Sequence, residues 1–288
     1  MKIGVIMLQC GLSRLTKMCV SSLHRSCKIP FEIILVDNGS DEDSLNAAKK
    51  LKETKYIHHL IELKENVGYL LGNNRGLEFA MDLVDGYGEI THLLLANNDV
   101  LFSKMSVERM VAALDSDPRM ALVSPMYNAG GYANQIYPLP EKIFVEVVEN
   151  NNPEAWFEHI EQNLNPKESV KIAIADLVEW TAPMIKPEVV KQIGMLEEAF
   201  GFGPHHDKDY GIRLAGEGWK SAVVANSLIF HWYSQTINEN KNLHNWEPAN
   251  IALREKWGPN YFHTLARAKQ AYLQKREYLA EAAQNDIQ

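Results

Sequence analysis

The chain has 288 residues, a length that fits one large domain or one domain with a small appendage. Its composition, with 46% hydrophobic and 23% charged residues, excludes the disordered and fibrous classes. The 37 acidic and 29 basic residues give a net charge of −8, which argues against a protein that coats nucleic acid but not against one that binds a single nucleotide.

The cysteine pattern and the apolar runs bear on the cellular compartment. The three cysteines, Cys10, Cys19 and Cys27, are odd in number and form no Cys-x-x-Cys motif, so they predict reduced thiols rather than a disulfide framework or a zinc site. No apolar run approaches the roughly 18–20 residues that span a bilayer, and residues 1–8 predict a β-strand rather than a signal peptide. We therefore expect a cytoplasmic protein without a transmembrane segment.

Short apolar runs alternate with segments of helical spacing through the first half of the chain. Strands are predicted over residues 2–8, 31–36, 56–63, 91–95 and 121–124. Helices are predicted over residues 12–23, 44–52, 73–84 and 106–114. Because continuous apolar strands that alternate with helices are typical of a doubly covered parallel sheet, the pattern indicates an α/β fold. Ligands bind at the carboxyl ends of such strands, and the polar turns at 37–40 and 97–99 directly follow predicted strands.

The second half of the chain is less regular. Residues 127–178 open as a loop and continue as a polar, amphipathic stretch over 141–164, which predicts an insertion over the edge of the sheet. Short strands and turns are expected over residues 177–232, and the pattern from residue 247 to the end is helical.

Polar motifs follow one another in a definite order along the chain. They are IILVDNGS at 33–40, a Gly- and Asn-rich stretch at 66–76, LLLANNDV at 93–100, HDKDYGIRL at 206–214, Gly-Trp at 218–219 and Ile-Phe-His at 229–231. This ordered set resembles the family 2 glycosyltransferases of the GT-A fold, especially the rhamnosyltransferase-like branch that builds bacterial polysaccharides. The resemblance covers roughly residues 2–235.

The resemblance implies a fold and a division of the chain. The fold is a GT-A type α/β structure, with a mostly parallel central sheet flanked by helices. Residues 1–235 would form the glycosyltransferase domain, with a nucleotide-sugar-binding half over about 1–126 and an acceptor-binding half over 127–235. Residues 236–288 would form a C-terminal helical extension.

The nucleotide site that the resemblance implies consists of polar residues at the ends of predicted strands and of residues in the Gly- and Asn-rich stretch at 66–76. Its predicted residues are Gln9, Asp37, Gly68, Asn73, Asn74, Asn97 and Asn98. The carboxylate of Asp37 can accept two hydrogen bonds from a base or a ribose, although an Asx-turn or a helix N-cap is an alternative role. Gly68 allows a close backbone approach, while Asn73 and Asn74 offer paired amides, with a turn or N-cap as the alternative for each. Some relatives have Arg where this chain has Asn73, which weakens the case for a charge-assisted contact with pyrophosphate.

The metal site that the resemblance implies lies at Asn97-Asn98-Asp99, where the family has Asp-x-Asp. Asp99 is the predicted ligand of Mn²⁺ or Mg²⁺, since hard cations prefer oxygen ligands, and Asn97 is expected to contact the ribose or an ion-bound water. His231 matches the remaining protein ligand of metal-dependent relatives. The alternatives are a solvated turn at 97–99 and a structural histidine at the end of a strand.

Asp207 matches the catalytic base of the family, which removes a proton from the acceptor hydroxyl. The family has Glu before this Asp, and here His206 takes its place.

Asp209 and Arg213 are four residues apart on one helical face and predict a structural ion pair. A surface turn, or a zinc site lacking a third ligand, is the alternative for the histidine pair at 205–206. Trp180 is either an acceptor floor or a core residue, and with His206 it is placed on the acceptor side.

Taken together, the sequence predicts an inverting glycosyltransferase. It would transfer a sugar from a nucleotide-diphosphate sugar to a saccharide or glycolipid acceptor with the help of a divalent cation, in the synthesis of a cell-surface polysaccharide. A catalytically silent nucleotide-sugar-binding relative is one alternative. A sugar nucleotidyltransferase is another, but the Gly-rich signature and lysine it needs are missing from residues 8–13. Peripheral contact with a membrane and a homodimer through the C-terminal helices are further hypotheses, and no nucleic-acid partner is expected.

Overall fold

A computed structural model of the chain describes residues 1–202, 204–232 and 246–285. The strands are β1 Lys2–Gln9, β2 Phe31–Asn38, β3 His59–Leu63, β4 Ile90–Asn97, β5 Val100–Phe102, β6 Met120–Tyr127, β7 Ile172–Ile174, β8 Met184–Ile185 and β9 Lys220–His231. The helices are α1 Ser13–Ser26, α2 Glu42–Glu53, α3 Tyr69–Tyr87, α4 Ser106–Asp115, α5 Glu141–Phe144, α6 Pro153–Asn163, α7 Pro187–Ile193, α8 His206–Gly216, α9 Glu247–Trp257 and α10 Tyr261–Asn285. In these ranges no helix is both long and apolar enough to cross a bilayer.

One sheet runs through the molecule in the order β3-β2-β1-β4-β8-β6-β9-β5, with β7 paired to β9. The strands β1 to β4 pair in parallel, which confirms the predicted α/β fold. Beyond β4 the sheet is mixed, because β8 runs antiparallel to both of its neighbours, and β5 and β7 run antiparallel to β9. The parallel character that the sequence predicts is therefore concentrated in the first half of the chain.

The register of the first strands aligns their carboxyl ends. Gln9 lies opposite Asp37, and Leu8 lies opposite Asn97, so the polar turns that follow β2 and β4 are brought to one edge of the sheet. Helix α3 lies close against β1 because it presents glycines there. A Cβ added at Gly72 would lie 2.6 Å from a methyl group of Leu8. These contacts fix the start of α3 beside the strand ends.

The segment between β6 and β8 covers the far edge of the sheet, as predicted. It contains the two short helices α5 and α6 with a π-helical turn over Val145–Glu149 between them. Trp156 and Ile160 of α6 pack in one buried cluster with Leu101 of β5 and Phe230 of β9. The insertion thus buries the face of the edge strands.

Several element boundaries differ from the prediction. Strand β3 begins at His59, three residues later than expected, and β5 and α7 are absent from the prediction. Helix α7 carries Pro187 in its first turn, a position that suits proline because the missing N–H has no helical partner there. Strand β5 has three residues, and its short apolar run continues directly from the turn after β4.

The C-terminal part is helical, as expected. Leu265 of α10 packs against Ile212 and Ala215 of α8, and the ring of Tyr272 lies against Gly218, where a side chain would clash with it. The guanidinium of Arg119 lies 4.3 Å from the ring centre of Trp219 on the same side. The predicted domain boundary at residues 235–236 lies outside the described residues.

Candidate active site

The ends of β1 and β2 form a buried polar pair. The Nε2 of Gln9 donates to Oδ2 of Asp37 at 2.9 Å, and the backbone N–H of Ser40 donates to the other carboxylate oxygen at 3.1 Å. Gln9 is fully buried, and its Oε1 has no hydrogen-bond partner among the described residues. The side chain of Asp37 therefore stabilises the turn at 37–40 by bonding to the N–H three residues on, and the N-cap of α2 is Asp41. Its contact with a nucleotide stays a prediction.

The start of α3 is built from a glycine turn and two buried asparagines. Gly68 has a φ of +92°, which favours glycine, and the ring of Phe202 covers it. Asn73 donates to the carbonyl of Tyr69 at 2.8 Å within the helix. Asn74 donates to the carbonyl of Leu196 at 2.9 Å and accepts from the N–H of the same residue at 3.0 Å. The amide of Asn74 therefore ties α3 to the segment before α8, and nucleotide contacts of both asparagines stay predictions.

The turn after β4 places its three polar residues in different surroundings. Asn98 donates to Oγ1 of Thr16 at 3.0 Å and so fastens the turn to α1. Asn97 accepts a hydrogen bond of 3.3 Å from the hydroxyl of Tyr69. Asp99 is only 6% exposed and points toward the end of β9.

Asp99 and His231 meet although 131 residues separate them in the chain. Antiparallel pairing of β5 with β9 puts Val100 opposite His231, and the carboxylate Oδ1 of Asp99 lies 3.3 Å from Nε2 of the imidazole. Asn128 holds the end of β9, because its amide donates to the backbone carbonyl of His231 at 3.2 Å and accepts from its N–H at 2.7 Å. Burial lowers the pKa of His231, but the charge and hydrogen bond of Asp99, together with the charge of Glu179 and a backbone hydrogen bond, raise it, and the net shift is upward.

The donor atoms of this pair fit a divalent cation. In an octahedral site with bonds of about 2.1 Å, neighbouring ligand atoms lie about 3 Å apart, close to the 3.3 Å between Asp99 and His231. One carboxylate and one imidazole suit Mn²⁺ or Mg²⁺ bound together with substrate phosphates. The described residues contain no group of three or more His, Cys, Asp or Glu side chains that could hold a metal without a substrate. This also gives the histidine pair at 205–206 no zinc site within that part of the chain.

Asp207 lies in the first turn of α8 and is held by two donors. The hydroxyl of Tyr132 donates to its Oδ2, and the N–H of Lys208 donates to its Oδ1 at 2.9 Å. Tyr132 comes from the loop after β6, and the sequence analysis gave it no role. A carboxylate in a partly exposed helix start can accept a proton from an incoming hydroxyl.

Asp209 has a different environment, although it is only two residues away. It is fully buried, and it accepts hydrogen bonds from Arg213 at 2.8 Å and from Nε1 of Trp257 at 2.8 Å. The ammonium of Lys256 lies 2.9 Å from the same carboxylate. The predicted structural pair with Arg213 is confirmed, and Asp209 also joins α8 to α9.

An aromatic cluster lies near both Asp99 and Asp207. Tyr69 packs at 5.0 Å against the ring of His206, which in turn packs at 5.6 Å against Trp180. Trp180 is 5% exposed and belongs to a core cluster, which fits its core alternative, and its role as an acceptor floor stays a prediction. Burial, followed by the charges of Asp99 and Asp207, raises the pKa of Tyr69, so Tyr69 lies within the field of both carboxylates.

His206 is a neutral imidazole in this cluster. Burial lowers its pKa, and the opposing effect of Asp207 is smaller. Its Nδ1 is buried and has no hydrogen-bond partner among the described residues. A contact between His206 and an acceptor stays a prediction.

Glu179 is a second residue that sequence reasoning did not single out. Its Oε2 accepts hydrogen bonds from the hydroxyl of Tyr127 at 2.5 Å and from the N–H groups of Gly131 and Tyr132 at 2.7 and 2.9 Å. The Asn-Ala-Gly-Gly-Tyr run at 128–132 was the available signal, since two adjacent glycines leave backbone N–H groups open to a single acceptor.

Comparisons with known proteins agree on the fold. The model of the family described as glycosyl transferase family 2 matches residues 12–175. GalNAc-T7, solved with UDP, GalNAc and Mn²⁺, is 15% identical with a TM-score of 0.63 over 90% of this chain, which spans 48% of that chain. The mannosyltransferase PcManGT from Pyrobaculum calidifontis, in complex with GDP-Man and Mn²⁺, is 14% identical with a TM-score of 0.55, covering 99% of this chain and 80% of that one.

A third solved structure has the same architecture. Residues 1–349 of TarS from S. aureus are 14% identical with a TM-score of 0.55, and the match covers 95% of this chain and 71% of that one. The curated proteins give no match. At these identities the structural likeness shows the fold, which is GT-A.

Proposed function

Because the chain belongs to glycosyl transferase family 2, we propose that it is an inverting enzyme that moves a sugar from a nucleoside-diphosphate sugar to an acceptor hydroxyl. The observation that carries the proposal is the meeting of Asp99 and His231 at 3.3 Å. A carboxylate and an imidazole from distant parts of the chain converge at the carboxyl end of the parallel strands, where α/β sheets bind ligands.

Asp99 and His231 would hold a Mn²⁺ or Mg²⁺ ion. Such an ion, when bound, supplies positive charge opposite the two phosphates of the leaving group. Two of the similar solved structures contain Mn²⁺ together with UDP or GDP-Man, which supports a nucleotide-sugar donor with a cation for this chain. Asn97, which accepts from Tyr69, lies beside this pair and is proposed to face the ribose.

The proposed nucleotide-binding surface consists of residues at the strand ends and the start of α3. It comprises Gln9, Asp37, Gly68, Asn73, Asn74, Asn97 and Asn98. Within it, the buried and unpartnered Oε1 of Gln9 favours a donor from the ligand, such as a base or ribose N–H or O–H. Asn74 and Asn98 stabilise this surface, because Asn74 bonds α3 to Leu196 and Asn98 bonds the turn after β4 to Thr16.

Asp207 is proposed as the general base, with Trp180 and His206 on the acceptor side. As the acceptor oxygen forms its bond to the anomeric carbon, the proton of its hydroxyl passes to Asp207. The bond between that carbon and the diphosphate oxygen breaks, and the nucleoside diphosphate leaves with the electron pair. Holding the two reactants side by side makes this a single in-line displacement with inversion.

The cellular role is proposed from the motif order. The sequence Asn97-Asn98-Asp99 and the run 206–214 support the rhamnosyltransferase-like branch, with a saccharide or glycolipid acceptor and a part in cell-surface polysaccharide synthesis in the cytoplasm. The C-terminal helices, which present Phe262 at 60% exposure, are the proposed surface for a homodimer or for peripheral contact with a membrane.

A catalytically silent binding protein is the second candidate. It is favoured by the replacement of the family's Glu by His206, which leaves a neutral ring beside Asp207. A silent relative would bind the donor but release no nucleoside diphosphate.

A thermal-shift panel followed by a turnover assay separates the two candidates. The wild-type chain is melted with UDP-, GDP- and dTDP-sugars, each with Mn²⁺ and with EDTA, because a ligand of the native state raises the melting temperature with occupancy. The best donor is then incubated with saccharide acceptors, and the product anomer is assigned by NMR. We expect a Mn²⁺-dependent shift and an inverted product. Binding without turnover would establish the silent relative, and a retained anomer would overturn the single displacement.

A further inference from the structure

The loop that follows β6 is fastened to Glu179. One carboxylate oxygen of Glu179 accepts from the N–H groups of Gly131 and Tyr132 and from the hydroxyl of Tyr127. The backbone of Glu179 is held in turn, because its N–H donates to Oε1 of Gln135 at 2.5 Å. The position of the Tyr132 backbone is therefore set by three elements: the end of β6, the loop itself and the segment before β8.

From this fastened backbone the side chain of Tyr132 reaches across to α8. Its hydroxyl donates to Oδ2 of Asp207, a residue 75 positions further along the chain. Tyr132 is half-buried, and burial, followed by the charge of Asp207, raises its pKa. The phenol therefore stays protonated at neutral pH and remains a donor to the carboxylate.

We propose that Tyr132 is a positioning residue that holds the carboxylate of Asp207 in the orientation that receives the acceptor proton. The proposal rests on the proposed function, in which Asp207 is the base. A carboxylate has two oxygens, and Tyr132 fixes Oδ2 while the N–H of Lys208 marks the side of Oδ1. Because Oδ2 is fixed, the carboxylate group of Asp207 rotates less freely. A lone pair of Oδ1 then stays directed toward the acceptor.

The charge environment of Asp207 sets what the loss of this hydrogen bond does. The titratable groups that interact with it lie in the loop after β6, in α3, at the start of α8 and in α10; they are Tyr132, Tyr69, His205, His206 and Tyr261. Lys208 contacts it through its backbone N–H. Burial lowers the pKa of both histidines, so they are neutral donors or acceptors at pH 7. A hydrogen bond donated to a carboxylate favours its ionised form, and its removal makes the carboxylate easier to protonate.

The test is Tyr132→Phe, which removes one oxygen atom and keeps the ring. With the donor selected by thermal shift, Mn²⁺ and a saccharide acceptor, we expect kcat to fall by roughly 10- to 150-fold, the effect of one hydrogen bond to a charged group. The acid limb of the kcat profile should move to higher pH, because the lost hydrogen bond favoured the ionised carboxylate. Donor affinity should be unchanged.

Tyr137→Phe is the matched control. Tyr137 lies in the same segment, but its ring packs on Trp156 in the insertion, so we expect no change in kcat or in its acid limb. Glu179→Gln gives a second approach, because it weakens the anchor of the loop and should move kcat and the acid limb in the same direction as Tyr132→Phe.

A double-mutant cycle keeps this inference distinct from the proposed function. If Tyr132 acts through Asp207, then Tyr132→Phe has no further effect on transfer in the Asp207→Asn background. A wild-type kcat and acid limb in Tyr132→Phe, with transfer lost in Asp207→Asn, would overturn the inference and leave the base assignment intact. Normal transfer in Asp207→Asn would overturn both.

Discussion

The edge of the site at the ends of β1, β2 and β4, where we propose that the donor binds, and the edge around α8, where we propose that the acceptor binds, are assembled in different ways. We call them the donor edge and the acceptor edge. At the donor edge, strand register alone sets Gln9 opposite Asp37, and each polar residue follows an apolar strand directly. At the acceptor edge, Asp207 is held by a tyrosine 75 residues away, whose loop is anchored by Glu179. One edge is set by the sheet, and the other by side-chain hydrogen bonds between distant segments.

This difference separates two kinds of functional effect. Changes at the strand ends act on groups that we propose touch the donor or its cation, so they should alter donor binding. Changes around α8 act on the proposed base and its supports, so they should alter turnover or stability while donor binding is kept. The predictions below test this division.

We expect the largest effect from Asp99→Ala, at the donor edge. Asp99 is the only carboxylate in its turn, and its loss leaves His231 without the charge that attracts a cation. Mn²⁺-dependent binding of the donor should be abolished, while the weaker binding in EDTA is kept. Thermal shift and calorimetry with the selected donor, each with and without Mn²⁺, check this.

His231→Ala removes the other proposed ligand of the cation and should have a smaller effect than Asp99→Ala. Loss of a neutral ligand should weaken Mn²⁺ affinity less than loss of the carboxylate, because it removes no negative charge from the site. Donor affinity that is unchanged in Asp99→Ala at saturating Mn²⁺ would contradict the metal assignment. A normal Mn²⁺ titration in His231→Ala would make that histidine structural.

The next effect is on turnover, at the acceptor edge. Asp207→Asn is nearly isosteric but cannot take up a proton, so transfer should fall by roughly 10²- to 10⁴-fold, the usual contribution of a positioned base. The loss should appear in kcat, with the donor affinity and the melting temperature close to wild type. A parallel loss of Mn²⁺-dependent donor binding would break the division between the two edges.

Asp209→Asn should instead reduce stability. The carboxylate is fully buried between Arg213, Lys256 and Trp257, and an amide cannot satisfy all three donors. We expect the free energy of unfolding to fall by about 2–4 kcal/mol, since breaking a buried ion pair leaves a poorly compensated charge. Urea unfolding measures this, and kcat per folded molecule should be largely kept.

Asp176→Asn provides the control for that measurement. Asp176 pairs with Lys269, and both side chains are exposed by more than 40%, so the variant should change stability by less than about 1 kcal/mol. If Asp209→Asn is instead the inactive and stable variant, and Asp207→Asn transfers normally, then the base is Asp209.

The sequence was sufficient for the parts of the site that depend on local pattern. The parallel strands, the polar turns at their ends and the i, i+4 pair of Asp209 with Arg213 all follow from periodicity and spacing. It was insufficient for side-chain direction. Asn74 and Asn98 belong to the predicted nucleotide site, and the structure adds that their amides bond to Leu196 and Thr16, contacts with distant segments that periodicity and spacing do not indicate.

The residues that hold Asp207 in place at the acceptor edge could not be predicted from the spacing of residues in the sequence. Tyr132 and Glu179 act through contacts across 47 to 75 residues of chain, and no local motif encodes which distant group each will meet. The order of the motifs resembles that of the family, and this resemblance singled out Asp207. Tyr132, which contacts Asp207, comes from a segment that was predicted only as a loop. Tertiary contacts decide such pairings.

The smallest effect is expected from His206→Glu, which restores the residue that the family has at this position. The imidazole is neutral, because burial lowers its pKa, and its Nδ1 has no partner among the described residues. A glutamate placed between Tyr69 and Trp180 would still offer a hydrogen-bond acceptor to an incoming sugar, but it would add a negative charge beside Asp207. The added charge makes Asp207 easier to protonate, and partial exposure limits the effect.

We therefore expect His206→Glu to keep transfer at pH 8 within about threefold of wild type and to lose more of it at pH 6, with Mn²⁺-dependent donor binding unchanged. His206→Gln is the matched control, because it keeps a neutral polar side chain and should show no added loss at low pH. Measurement of kcat at both pH values for the three proteins checks this. A tenfold loss in both variants at pH 8, with donor affinity kept, would mean that the imidazole itself contacts the acceptor. Weakened donor binding in either variant would show that the two edges of the site are not separable at this position.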